Sequence, residues 1–168
     1  GRTLGMEQVR PLQVFKAEIP MAEVQRYSAE LKSMTAGEGS FTLTEAQRRN
    51  MRRYLTAGGF IVASAGCSSE SWNESFKREM DEVFPDRDMK KLEADHPIFH
   101  TVEEVESVDY KSGETGLPEL YGLNIDGRTV MIWSPDGLND TANAGPNCCC
   151  CGGNEIKQAR RVNVNTLA

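Results

Sequence analysis

No stretch of this 168-residue chain is apolar for long enough to cross a bilayer, and its N-terminus has no hydrophobic signal core. The chain is therefore expected to be soluble, without a membrane span. Basic residues do not outnumber acidic ones. Nineteen Lys and Arg stand against 25 Asp and Glu, a net charge of −6, with a pI near 5.0. Phosphate backbones and anionic lipids need clustered cations, so nucleic acid is not an expected partner. Histidine is scarce, and both histidines fall in "ADHPIFH", which confines imidazole chemistry to one segment. There is also no internal repeat and no low-complexity linker, which removes solenoid architectures. The remainder has ordinary globular proportions, 39% hydrophobic and 26% charged. The length suits a single domain over residues 1–168, with residues 1–30 poorly periodic.

Cysteine is sparse and oddly placed. Of five in the chain, four stand side by side in "NCCCCGGNE", residues 147–155. Neighbouring cysteines pair poorly because the ring that links them is strained, so a disulfide framework is not expected. A reducing compartment such as the cytoplasm suits this pattern better than an oxidising one.

Local signals divide the chain. "LQVFKAEIP" alternates as a strand ending at Pro20, "MAEVQRYSAEL" suits a short helix, and "TAGEGS" is loop. Thr44 opens "TEAQRRNMRRYLTAGG" with Gln47 three residues on, a capping box, and Gly58 stands where a C-cap glycine belongs. The arginines at 48, 49, 52 and 53 give this helix a basic face, read as solvated and paired with nearby carboxylates. "GGFIVASAG" is a short apolar run bounded by glycines, predicting a central strand buried on both faces of a parallel sheet. Ser71 with Glu74 predicts a second capping box, and Trp72, Phe76, Met80 and Val83 then recur at helical spacing until Pro85. "LYGLNIDGRTVMIWS" holds two strand-like runs around Asp126-Gly127, a hairpin signal. The closing "GGNEIKQARRVNVNTLA" predicts a helix opened by its glycines and Asn154, with Ile156, Ala159 and Leu167 facing inward.

Three places carry candidate chemistry. Cys67 lies between the apolar strand and the helix that follows. There a strand-end crevice collects ligands and a helix N-terminus favours the thiolate. Gly66 and Ser68 flank it as ligand-binding candidates. His96, beside Asp95, is the better placed histidine to serve as base to Cys67, ahead of His100, which has a packing role beside Phe99. Cys148, Cys149, Cys150 and Cys151 are spaced too closely for one tetrahedral ion, so small buried side chains are favoured over metal ligands, and a metal cofactor is not favoured. Gly152, Gly153 and Asn154 suit anion binding at a helix N-terminus. If the hairpin's second strand runs towards the same sheet edge as "GGFIVASAG", the 135–153 loop delivers the four cysteines close to Cys67.

Taken in order, "RRYLTAGGFIVASAGCSSESWNESFKREMDEVFPD", "ADHPIFH", "LYGL…DGRTVMIWSPDGL" and "CCCCGGNEIKQARRVNVNTLA" resemble an uncharacterised bacterial family. That family is a domain of unknown function with a class I glutamine amidotransferase-like (ThuA-like) fold, and the likeness covers roughly residues 31–168. It implies a three-layer, flavodoxin-like, mostly parallel sheet with helices on both faces. It also implies N-terminal trimming, because members often begin with another strand and helix. Members are often exported, which leaves the compartment open. Glutamine amidotransferases carry a Gly-x-Cys-x-Gly elbow and a later His-x-Glu pair. Here Cys67 is set in Ala-Gly-Cys-Ser-Ser and neither histidine is followed by x-Glu, so the triad is missing and glutamine hydrolysis is not implied. The expected function is a small-ligand or protein-binding scaffold. The alternative is a thiol- or metal-assisted hydrolase using Cys67 and His96.

Overall fold

The structure, a computed structural model, describes residues 2–9, 12–18, 40–65, 68–139 and 154–168. The chain forms two compact units, residues 1–35 and 36–168. In the first, β1 (Arg2–Val9) pairs antiparallel with β2 (Leu12–Glu18), with a register shift between Thr3 and Gly5. β2 is the strand that "LQVFKAEIP" predicts. The helix expected over "MAEVQRYSAEL" lies outside the described residues.

The second unit opens as its local code dictates. Thr44 accepts from the Gln47 amide, and the Gln47 side chain accepts from the Thr44 amide at 2.8 Å, which starts α1 (Glu45–Thr56). The two contacts satisfy amides that have no carbonyl partner within the helix. Beyond the helix, Gly58 takes φ +110°, a region that strains residues with a Cβ. Three of the four arginines on the basic face, Arg48, Arg49 and Arg52, pair with carboxylates. Arg49 meets Glu45 at 2.7 Å, and Arg52 meets Asp86 at 2.9 Å while its guanidinium lies 5.0 Å from the Phe84 ring centre.

α2 (Glu70–Val83) buries the predicted stripe of Phe76, Met80 and Val83, with Trp72 half-buried beside them. Its N-cap is Ser69 rather than the predicted Ser71: the Ser69 hydroxyl accepts from the Trp72 amide at 3.4 Å. Phe76 stacks on Trp72, ring centres 5.0 Å apart, and meets Trp133 in a tilted contact at 5.8 Å.

The main sheet corrects the expected fold class. It contains β3 (Ile61–Ser64), β4 (Lys90–Lys91), β7 (Tyr121–Ile125) and β8 (Arg128–Ser134), in the spatial order β3-β8-β7-β4. Only β3 and β8 are parallel, and β7 pairs antiparallel with both neighbours. The sheet is mixed and mostly antiparallel, with few helices. It is not the parallel three-layer flavodoxin-like or glutamine amidotransferase-like arrangement. The cause is the hairpin. Asp126 and Gly127 have φ of +52° and +82°, the two-residue turn that folds β7 directly back on β8 and places an antiparallel pair in mid-sheet. β3 is an edge strand among the described residues, not a central one, and Val62 is 41% exposed, so its apolar run is not buried on both faces.

α1 and α2 cover one sheet face, where Leu55, Phe76 and Met80 pack with Leu123, Met131 and Trp133. On the other, Phe99, Val105, Leu120 and Ile132 pack with Ile156, Ala159 and Val162. A short pair, β5 (Val108–Asp109) with β6 (Thr115–Gly116), lies between β4 and β7 in the chain. The final helix, α3 (Ala159–Leu167), begins five residues after Asn154, and Leu167 is exposed rather than inward-facing.

Candidate functional site

β3 and β8 run in the same direction and in register, Ile61 beside Met131 and Ser64 beside Ser134. The loops after both strands therefore leave from one sheet edge. The strand direction is thus the one the sequence expectation required, while residues 66–67 and 140–153, on which the loop's approach to the turn after β3 depends, lie outside the described residues. The turn closes as the Ser68 amide donates to the Ala65 carbonyl at 2.9 Å, and Ser68 itself takes φ +50°. A left-handed serine is uncommon and needs surrounding contacts to hold it.

Those contacts are short. The Ser68 hydroxyl lies 2.7 Å from Asp136 Oδ1 and 2.7 Å from the Asn154 carbonyl oxygen. It thereby ties the turn after β3, the loop after β8 and the segment that leads into α3. The Gly137 amide donates to the same Asn154 carbonyl at 3.3 Å, and the Ile156 amide donates to the Gly137 carbonyl at 3.0 Å. Asn73, in the first turn of α2, locks the frame from behind. It donates to the Pro135 carbonyl at 3.0 Å and accepts from the Trp133 indole at 3.1 Å. Ser134, at the carboxyl end of β8, is fully buried, and its hydroxyl oxygen has no hydrogen-bond partner among the described residues. A buried polar atom left so costs about 1–3 kcal/mol unless something supplies a partner.

The electrostatics are acidic. The Ser68 hydroxyl has one proton to share between two acceptor oxygens, and the Gly137 amide supplies the Asn154 carbonyl, so Asp136 brings the negative charge of the knot. Burial pushes the Tyr110 phenol upward, reinforced by the charges of Asp136, Glu119 and Glu114. Glu155 is fully buried, and a Cβ at Gly137 would collide with its Oε2, so a side chain there would force the Glu155 carboxylate to shift.

Of the residues singled out from sequence, Ser68 and Asn154 are brought together. Asn154 is not at a helix N-terminus; besides its carbonyl contacts, its Oδ1 accepts from the Ser112 amide at 3.1 Å. Gly66, Cys67, Cys148, Cys149, Cys150, Cys151, Gly152 and Gly153 lie outside the described residues. Asp95 and His96 follow β4, which points the same way as β3 but stands three strand spacings from it, about 14 Å. His96 caps a 3₁₀ turn (Pro97–Phe99), its Nδ1 accepting from the Ile98 amide at 3.2 Å. Burial holds its pKa below the ordinary value, and the Asp95 charge opposes that shift. Sequence reasoning missed Asp136, Gly137 and Glu155. The available signal was Pro135-Asp136-Gly137 directly after a strand, where a turn sequence and a carboxylate coincide.

Among the described residues, no three His, Cys, Asp or Glu side chains gather as a metal site, and no helix is long and apolar enough to cross a membrane. The family described as a domain of unknown function, DUF4159, matches residues 34–168. That match begins within two residues of the boundary between the two structural units. Residues 1–54 are similar to the C-terminus of elongation factor G. No curated protein matches the chain.

Proposed function

We propose that this chain, which belongs to the DUF4159 family, is a binding domain whose small ligand docks at the carboxyl ends of β3 and β8. The observation that carries this reading is Ser68, whose hydroxyl sits 2.7 Å from both Asp136 and the Asn154 carbonyl and joins three chain segments at one sheet edge. Strand ends of this kind are where open α/β sheets take ligands, because the loops there are not committed to the core. The Asp136 charge favours a ligand that brings hydrogen-bond donors, such as an amine or a polyol, over an anion. Gly66 and Cys67 precede Ser68 in the chain, and Gly152 and Gly153 precede Asn154, so this reading takes them as flanks of the same site. The binding reading is preferred to thiol catalysis by Cys67 with His96 because His96 already caps the 3₁₀ turn and follows the strand at the far side of the sheet.

The test is thermal denaturation against a panel of primary amines and polyols, with carboxylates and phosphate as the opposing set. A binder present at a hundred times its Kd adds about 2.7 kcal/mol. Stabilisation by a donor-bearing compound that disappears in Asp136→Ala supports the site. Stabilisation by anions alone, or stabilisation unchanged in Asp136→Ala, rejects it.

A further inference from the structure

His100 is placed so that both ring nitrogens face acceptors. Nδ1 lies 2.5 Å from Glu104 Oε2, and Nε2 lies 2.6 Å from the Ala94 carbonyl oxygen. A carbonyl oxygen has no proton to give, and an exposed carboxylate is ionised near neutral pH, so both contacts require an N–H. Only the imidazolium has two. The ring thus clasps the beginning of the 94–105 segment to its end.

α3 holds the other side of this segment. Asn165, almost fully buried, accepts at Oδ1 from the Val102 and Glu103 amides (3.0 and 2.8 Å) and donates to the Glu103 carbonyl at 2.7 Å. Arg161 donates to the Glu103 carboxylate at 3.1 Å and to the Glu104 carbonyl. Within the segment the Val105 amide donates to the Phe99 carbonyl at 2.8 Å, and Phe99 and Val105 are both fully buried. The α3 contacts do not change charge near neutral pH. The His100 contacts do.

We propose that His100 is a pH-sensitive catch, fastening the 94–105 segment while its imidazole is doubly protonated and releasing it when one proton leaves. The charged groups acting on the ring are Glu104, which is bonded to it, Asp95, which faces it from the same turn, and Arg161, which reaches the Glu104 backbone from α3. The two carboxylates favour the cation, in keeping with a pKa raised first by the Glu104 hydrogen bond and then by the Ala94 carbonyl. A raised folded pKa gives stabilisation that is complete below the unfolded histidine value of about 6.5 and is lost as pH rises through the folded value. The catch is therefore closed in mild acid and open in base.

The experiment is amide hydrogen exchange on the whole chain at several pH values, corrected for intrinsic exchange, with histidine ring resonances followed by NMR. The chain has two histidines, so His96→Gln assigns the His100 signal. Protection at the Val102, Glu103 and Val105 amides should fall as pH rises through the His100 midpoint, by up to about tenfold per pH unit, the limit for one linked proton. His100→Gln should abolish that dependence. Glu104→Gln, which keeps the side-chain volume, should move it to lower pH. A His100 midpoint at or below 6.5, or the same pH dependence in His100→Gln, would overturn the proposal.

Discussion

The Glu79 carboxylate is wholly buried, and Arg48 meets its Oε2 at 2.9 Å through both Nε and Nη2. The Leu43 amide donates to the same oxygen at 3.1 Å, so the segment before α1, α1 itself and α2 converge on one carboxylate. Among the described residues Oε1 has no hydrogen bond, and the Arg78 guanidinium stands 3.6 Å from it. Burying a charge is tolerable only with such pairing.

Arg48→Ala should therefore cost about 3–5 kcal/mol, because it strands a buried carboxylate. Replacing both members, with Arg48→Met and Glu79→Leu, should restore most of the loss, since a buried ion pair gains little over well-packed apolar groups. Urea denaturation of the two variants decides it. A double variant as unstable as the single one would show that the pair does more than neutralise itself.

Phe76→Ala should cost about 3–5 kcal/mol in the same assay. Phe76 is 5% exposed and its ring contacts both tryptophans, so truncation opens a cavity where α2 meets β8. A loss below ~1 kcal/mol would mean that the core refills the space.

Gly127→Ala should cost about 1–2 kcal/mol although a methyl group there meets no atom within 4 Å. The penalty comes from φ of +82° alone. Because the turn sets the β7–β8 register, amide exchange in both strands should quicken together in this variant.

Tyr121 donates to Glu119 Oε1 at 2.6 Å, and that bond, with burial and the carboxylate charge, pushes its phenol up to about 12. Alkaline titration by absorbance should show one of the four tyrosines ionising near pH 12, and Glu119→Gln should return it towards 10. The folded state prefers the neutral phenol, so this stabilisation is present below pH 10 and declines as pH rises to about 12.

His96 should behave oppositely to His100. Burial depresses its folded pKa, so its contribution to stability is complete above about 6.5 and is lost as pH falls through the folded value. In one NMR titration the two rings should move to opposite sides of 6.5. Both midpoints on the same side would contradict the two environments.

Some features were legible because they are written in neighbouring residues. Thr44 and Gln47 are three apart and meet in the first turn of α1, and Asp126-Gly127 needs only its own backbone to fold a hairpin. Trp72, Phe76, Met80 and Val83 share a face through helical spacing alone. Other local signals were outcompeted. Ser71 yielded the cap to Ser69, whose hydroxyl reaches the Trp72 amide. Asn154 was drawn from a predicted helix start into contacts with Ser68, Gly137 and Ser112, partners up to 86 residues away in the chain.

By itself, then, the sequence determined where α1, α2 and the β7–β8 hairpin form, and which face of α2 is apolar, since caps, turns and periodicity act within a few residues. Tertiary structure alone decided that the hairpin occupies mid-sheet, that "IVAS" lies at an edge with Val62 exposed, and that Ser68 meets Asp136 and Asn154. The physical reason is that a strand's apolar pattern records how much of it is buried but not which neighbour it takes or in which direction. Those choices follow from hydrogen bonds between segments far apart in the chain, and the Ser68 knot is made of such bonds.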